Sequence, residues 1–454
     1  MKIIFFILLV CFFCSAEEKS GSYITDEYIP FLKEESKSRT APFFGMEFGD
    51  KFLSPGPISS GSETITGAVW QPRFWLYGNY RSSVYSYDRG EHKAQHSEWA
   101  NRLDVYGNLQ LSGTERVLIG VQPLHRERDF YGHSFDPDDK DGENNPANLR
   151  IRTLFFEGDI SELFPKLDKD DNSGLDIGFS IGRQHLNFQN GILINDTVDA
   201  VGLTKNTIRF EEINWLTNLR LAFIYAWGEV NRHDNMEDQN SKLFGFSANA
   251  DTIWSTLELD LFYVDGDEDS GDLLVWGASN TQRLEKYNWT LRYLGSQTAG
   301  SDSIQSNSGH LFVNEVSWAP AKTDDVIYIN NIVGIDNFTS AARDELSGGP
   351  LGMTGLSFAA KGLGSYPSPL NDSGHKTLAS AIGWQMFFDN NSQYLLFELG
   401  HRLGTGSDGR HSTSIGSQWQ ISFLKRYIFQ IDSFISHENN NYGWGLRTEF
   451  QIKF

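Results

Sequence analysis

Trp444-Gly445-Leu446-Arg447-Thr448-Glu449-Phe450-Gln451-Ile452-Lys453-Phe454 ends the chain, and its two-residue rhythm decides the fold. Trp444, Leu446, Phe450, Ile452 and Phe454 fall on one face of an extended strand, and Gly445, Arg447, Glu449, Gln451 and Lys453 on the other. A water-soluble sandwich would put the apolar set in a core. A membrane barrel puts it in lipid and the polar set in a lumen. The preceding segment repeats the pattern, with Tyr427, Phe429, Ile431 and Ile435 against Gln430 and Asp432. So does 102–111, with Leu103, Val105, Leu109 and Leu111 against Arg102, Asp104, Tyr106, Asn108 and Gln110.

This texture begins at Pro72 and runs to the end. It predicts strands near 73–87, 98–112, 115–125, 149–159, 175–187, 197–210, 218–229, 242–250, 255–266, 272–281, 286–296, 309–319, 325–335, 376–388, 393–403, 412–423, 427–437 and 442–454. The expected fold is all-β, a transmembrane antiparallel up-and-down barrel of about 18 strands. Without the weak segments 197–210 and 272–281 the count falls to about 16, also even, as a barrel with both termini in the periplasm requires. Short connections such as Ser112-Gly113-Thr114, Asp251-Thr252-Ile253, Asp389-Asn390-Asn391 and Leu424-Lys425-Arg426 then fall on the periplasmic side. Three long segments, 126–148, 188–196 and 336–375, fall outside. The last is rich in glycine and only mildly polar, the composition of a lid folded into the lumen, whereas a plain surface loop would carry more charge.

Composition agrees. Aromatics make up 14% of the residues, with 12 Trp and 43 Gly, yet mean hydropathy is −0.39. Alternate exposure to lipid reconciles interface-loving residues with low overall hydrophobicity. Met1-Lys2, an apolar run from Ile3 to Phe13, and Ser15-Ala16 read as a secretory signal over 1–16, too short to span a membrane as a helix. Both cysteines, Cys11 and Cys14, lie inside it, which excludes a disulfide scaffold and a thiolate metal site. Residues 17–71 alternate poorly and read as a periplasmic arm or plug-like lead-in, with the barrel over 72–454. A formal charge of −21 argues against nucleic acid as a partner.

The order of barrel elements resembles the alginate export family of outer-membrane barrels and, more loosely, the large porins. Phe179-Ser180-Ile181-Gly182-Arg183-Gln184 closing a strand, Asp199 opening the next, Phe74-Trp75-Leu76-Tyr77-Gly78-Asn79-Tyr80-Arg81 opening the barrel and Phe454 ending it carry the resemblance. It implies a fold of about 18 strands and an arginine-lined, polar lumen that passes an anionic polysaccharide. Arg81, Arg102, Arg220, Arg292, Arg402 and Arg447 read inward here, and Asp104, Glu398, Asp432 and Glu449 point the same way. These ten are the candidate pore-lining residues, since fixed lumen charge sets solute selectivity; a bland alternative is that they pair across the wall and hold water.

Other constellations carry less. Gly178-Phe179-Ser180-Ile181-Gly182 matches the nucleophile elbow of hydrolases, but it sits within an alternating strand and no helix pattern follows. Asp168, Asp170, Asn172 and Asp176 have calcium-loop spacing without the closing glutamate, and read as a solvated turn. Asp136, Asp138, Asp139 and Asp141 form a solvated charge run able to bridge cations to lipopolysaccharide. His125, His133, His185 and His401 have no metal-ligand spacing. Trp70, Trp75, Trp227, Trp384, Trp419 and Trp444 read as interface girdles.

No acid, base and nucleophile converge, so the expectation is a channel in the bacterial outer membrane rather than an enzyme, without cofactor or metal. Its partners would be outer-membrane lipid, lipopolysaccharide and a small hydrophilic solute or oligosaccharide. A second reading stays open: a structural barrel sheathing a periplasmic partner, such as an electron-transfer or secretion component, with the arm as docking piece.

Overall fold

The computed structural model describes residues 46–49, 60–90, 95–137, 141–167, 174–267, 269–300, 303, 305–406 and 409–454. The signal segment, most of the arm, and Asp138, Asp139, Asp168, Asp170 and Asn172 lie outside them.

Eighteen antiparallel strands close into a barrel. They are β1 (Arg73–Asp88), β2 (His96–Gln110), β3 (Arg116–Val121), β4 (Ile151–Asp159), β5 (Gly178–Phe188), β6 (Ile194–Ile208), β7 (Leu216–Gly228), β8 (Lys242–Thr252), β9 (Thr256–Asp265), β10 (Leu273–Leu284), β11 (Tyr287–Thr298), β12 (Gly309–Trp318), β13 (Val326–Asn337), β14 (His375–Phe388), β15 (Gln393–Gly404), β16 (His411–Phe423), β17 (Tyr427–Glu438) and β18 (Asn441–Lys453). β18 pairs with β1 from Trp444↔Asp88 to Lys453↔Asn79, which removes both sheet edges. Every segment expected from the alternation is a wall strand, 197–210 and 272–281 included, so the larger count holds.

Alternation does in the structure what it implies in the sequence. Leu203, Phe223, Phe244, Leu259, Leu291, Phe397, Ile415 and Leu446 are exposed outward, a band suited to the bilayer core. Closed pairing satisfies the backbone that lipid could not. The fold is therefore that of a bacterial outer-membrane barrel. Tight turns cluster at the end that holds Arg73 and Lys453, the periplasmic end by the rule of short periplasmic turns. Asn439 and Asn440, at the opposite end, both have positive φ (44° and 78°), the type I′ geometry that matches strand twist and that asparagine tolerates.

Three details depart from expectation. Trp75 is not in a girdle: it stands on the inner face of β1 and is 8% exposed, whereas Trp227, Trp384 and Trp444 face outward. The segment 126–148 is not wholly a loop. Tyr131–Asp136 pairs with Ser97–Asn101 of β2, because β3 is short and covers β2 only from Val105 to Gln110. Finally, Met46–Phe48 pairs with Phe74–Leu76, continuing the wall along β1 below the point where β18 stops.

Candidate functional site: the bridged lumen

Two connections at the extracellular end turn inward and meet. The first is the tip of the β5–β6 hairpin. β4 pairs with β5 only as far as Leu154↔Arg183. At that point Gly182 has φ +121°, and a Cβ there would lie 2.2 Å from the Leu154 carbonyl oxygen, so only glycine allows the approach. Beyond it the hairpin leaves the wall. Its tip residue Gln189 reaches the far side, donating from Nε2 to Asp260 on β9 at 2.7 Å and accepting from Arg292 on β11 at 3.4 Å. Ile192, Leu193 and Ile194 are fully buried. The Gly178–Gly182 motif is thus a strand segment with a departure point, not a catalytic elbow.

The second is the strap, residues 338–374, which enters the lumen as its composition suggests. Ala342–Arg343 runs parallel to Ile194–Asn195, joining strap to hairpin tip. Arg343 is 1% exposed and donates to carbonyls on both, Gly191 at 2.8 Å, Gly348 at 2.6 Å and Gly349 at 2.7 Å. Burial lowers its pKa to about 10. Leu351, Phe358 and Leu370 then pack with Ile192, Val198, Leu243, Phe262, Leu311 and Ile332 in one apolar core on the β6–β14 side.

Past that core the strap crosses to β1 and β2, and polar contacts take over. Glu398 on β15 is 2% exposed and accepts the Leu356 and Ser357 N–H groups at 2.7 and 2.6 Å, with the Tyr328 hydroxyl as a third donor. Asn330 donates to the Thr354 carbonyl at 2.6 Å. Arg81 and Arg102 donate to the carbonyls of Lys361 and Gly362 at 3.2 and 3.0 Å. Lys361 pairs with Asp432 at 3.0 Å; burial pushes its ammonium below the ordinary value against the pull of that carboxylate. Arg447 bridges Asp432 (2.9 Å) and Glu449 (2.5 Å) and lies under the Tyr366 ring at 5.9 Å, while Glu449 also binds Arg81 at 2.7 Å. At the strap's exit Arg402 donates to Ser373 at 3.2 Å and to the His375 carbonyl at 3.3 Å.

All ten candidate residues stand on the inner face, but their roles differ. Arg81, Arg102, Glu398, Arg402, Asp432 and Arg447 grip the strap. Glu449 supports Arg81 and Arg447, and Asp104 supports Arg102 at 3.0 Å. Arg292 pairs with Glu315 at 3.0 Å beside the hairpin tip. Arg220 is exposed near the periplasmic mouth, opposite Asn249.

Alternation did not find the remainder of the network. Arg152 pairs with Asp344, and Arg150 with Glu345 (3.2 Å) and Glu229 (2.9 Å). Burial pulls the Arg150 pKa down, yet its carboxylate partners Glu345 and Glu229 raise it overall. Arg183 and Asp199, singled out for their position, pair at 2.8 Å, and Arg183 also reaches Glu229 at 2.9 Å. Above the strap lies a cavity of about 460 Å³, lined by Arg128, His233, Asn235, Lys361, Tyr366 and Asp372 among others. Of the calcium-like set, Asp176 is described and lies 3.5 Å from Lys205. His125, by contrast, is buried against Phe130.

No protein-family model matches the chain, and no curated protein matches it in sequence. Solved structures match by shape. A BenF-like porin from Pseudomonas fluorescens Pf-5 superposes with a TM-score of 0.57 at 10% identity, over 84% of this chain and 98% of that one. OccK2 (OpdF) from Pseudomonas aeruginosa gives 0.55 at 12% identity, over 84% and 97%. The same protein in complex with glucuronate gives 0.55 at 12%, over 84% and 98%. At such identities the likeness is one of fold: porin-like outer-membrane barrels.

Proposed function

We propose that this chain is a passive outer-membrane channel for small hydrophilic solutes, with anionic sugar derivatives as the favoured class and the ten inner-face residues shaping its selective constriction, most of them by holding the strap in place. The strap carries the reading. An 18-strand barrel has a lumen far wider than its side chains can fill, and here a segment of the chain narrows it and is fastened by charged side chains to the walls it crosses. A constriction lined by fixed charge is how a pore discriminates solutes. The preference for anions rests on which charges face water. Glu398 and Asp432 are 2% exposed, spent on the strap and its cations. Arg128, above the strap, and Arg220, below it, remain exposed and have no carboxylate partner among the described residues. Glucuronate, the ligand in the OccK2 complex, is a reasonable first probe. The chain's own apolar core takes the space a sheathed partner would need, which favours channel over sheath.

Uptake into liposomes carrying the refolded barrel tests this. At low salt glucuronate should enter faster than glucose, and glucosamine more slowly. Replacing Arg128 and Arg220 by glutamine should narrow the ratio. Absence of uptake for all three sugars would refute the channel.

A further inference from the structure

His233 and His375 stack in an offset pair with ring centroids 5.4 Å apart and planes 22° from parallel. They join the strap at both ends. His233, from the 229–241 connection, accepts at Nδ1 the N–H of Ser340, three residues into the strap, at 3.0 Å. His375 is the first residue after the strap, at the head of β14. We propose that this imidazole pair is an acid-sensitive clasp, holding the strap across the lumen at neutral pH and releasing it on acidification.

The geometry dictates the direction. To accept from Ser340, His233 must carry its lone pair on Nδ1, so a proton there replaces a hydrogen bond with two opposed N–H groups. The surroundings give the new charge little help. Arg232 faces His233 from its own connection and Arg343 from the strap; Lys376 and Arg402 face His375 from the wall, where the Phe338 carbonyl favours the charged ring but does not outweigh burial. The acids nearby are committed: Asp238 pairs with Arg232 at 3.2 Å, Glu345 with Arg150 and Arg152, and Asp372 accepts the Gly349 N–H at 2.6 Å. Packing against the strap, and then His375, push the half-buried His233 ring below its ordinary value. A released ring in water would titrate near its ordinary value of about 6.5. The closed form therefore keeps its full advantage above about pH 6.5 and loses up to tenfold in the closed–open balance per pH unit below it.

This clasp does not depend on what the channel carries, and hydrogen exchange reads it without any solute. Strap amides around Leu351, Leu356 and Ser357 would be followed in the refolded full-length barrel at pH 7.5 and 4.5, corrected for intrinsic exchange. Wild type should lose protection at pH 4.5 by up to about a hundredfold. His233→Gln keeps an acceptor that does not titrate, and His375→Phe keeps the stacked ring; each alone should lose less protection than wild type, and the double variant should stay protected at both pH values, with folding checked by heat-modifiable migration. Equal protection of wild type at the two pH values, or equal loss in wild type and the double variant, would overturn the clasp. A barrel that exchanges as expected but passes no solute would sink the channel reading alone.

Discussion

On the side of the lumen walled by β6 to β14, Leu243, Phe262, Leu311 and Ile332 close over Ile192, Leu351 and Phe358 as in the interior of a soluble protein. On the side walled by β15 to β18 and β1 to β4, the same strap meets Arg81, Arg102, Glu398, Asp432 and Arg447. The first side is dry and holds the strap by apolar burial. The second holds it by hydrogen bonds to its backbone and keeps charge beside whatever opening remains. One segment is thus both a seal and a selective edge. Apolar burial supplies the seal's strength without regard to direction, whereas the charged contacts fix where each carbonyl and side chain points.

That contrast can be broken most heavily by removing the strap. Excising 345–371 with a short glycine linker should raise single-channel conductance several-fold and remove solute preference, while the wall strands stay folded. Next in size is the dry side. Phe358→Ala should cost about 3–5 kcal/mol of strap docking, read as frequent flickering to a larger conductance level at neutral pH. On the charged side, Glu398→Gln keeps the volume but loses the ionised acceptor of two N–H groups, a loss of about 1.5–3 kcal/mol. It should speed hydrogen exchange at Leu356 and Ser357 before affecting Phe358. The smallest effect on the strap is expected from Arg102→Gln, which gives up one bond to Gly362 worth about 1 kcal/mol, together with the pair to Asp104, which still accepts from Gln122. Conductance should barely change, while the reversal potential in a salt gradient moves towards cations.

The wall was legible because its rule has period two and repeats. Trp444, Leu446 and Phe450 against Arg447 and Glu449 are enough to orient β18, and the ten inner-face residues followed from the same parity. Trp75 went astray because an aromatic near a strand end fits either face by composition, and only parity with Arg81 places it inward. The strap's inward course could be read from its mild polarity, but its partners could not. Lys361, Asp344 and Glu345 lie in a segment with no period, and Arg150 and Arg152 straddle the irregular pairing at the start of β4. The inward turn at Gly182 is set by how far β4 extends, a relation between strands that neither strand states alone.

The most direct test of the central claim compares wild type with the strap deletion in planar bilayers, in the same salt and across a salt gradient. The account predicts small, stable, ion-selective steps from wild type and several-fold larger, weakly selective steps from the deletion. Equal conductance and selectivity in the two, or a silent wild type beside a conducting deletion, would contradict it: the strap would be idle in the first case and a permanent plug in the second.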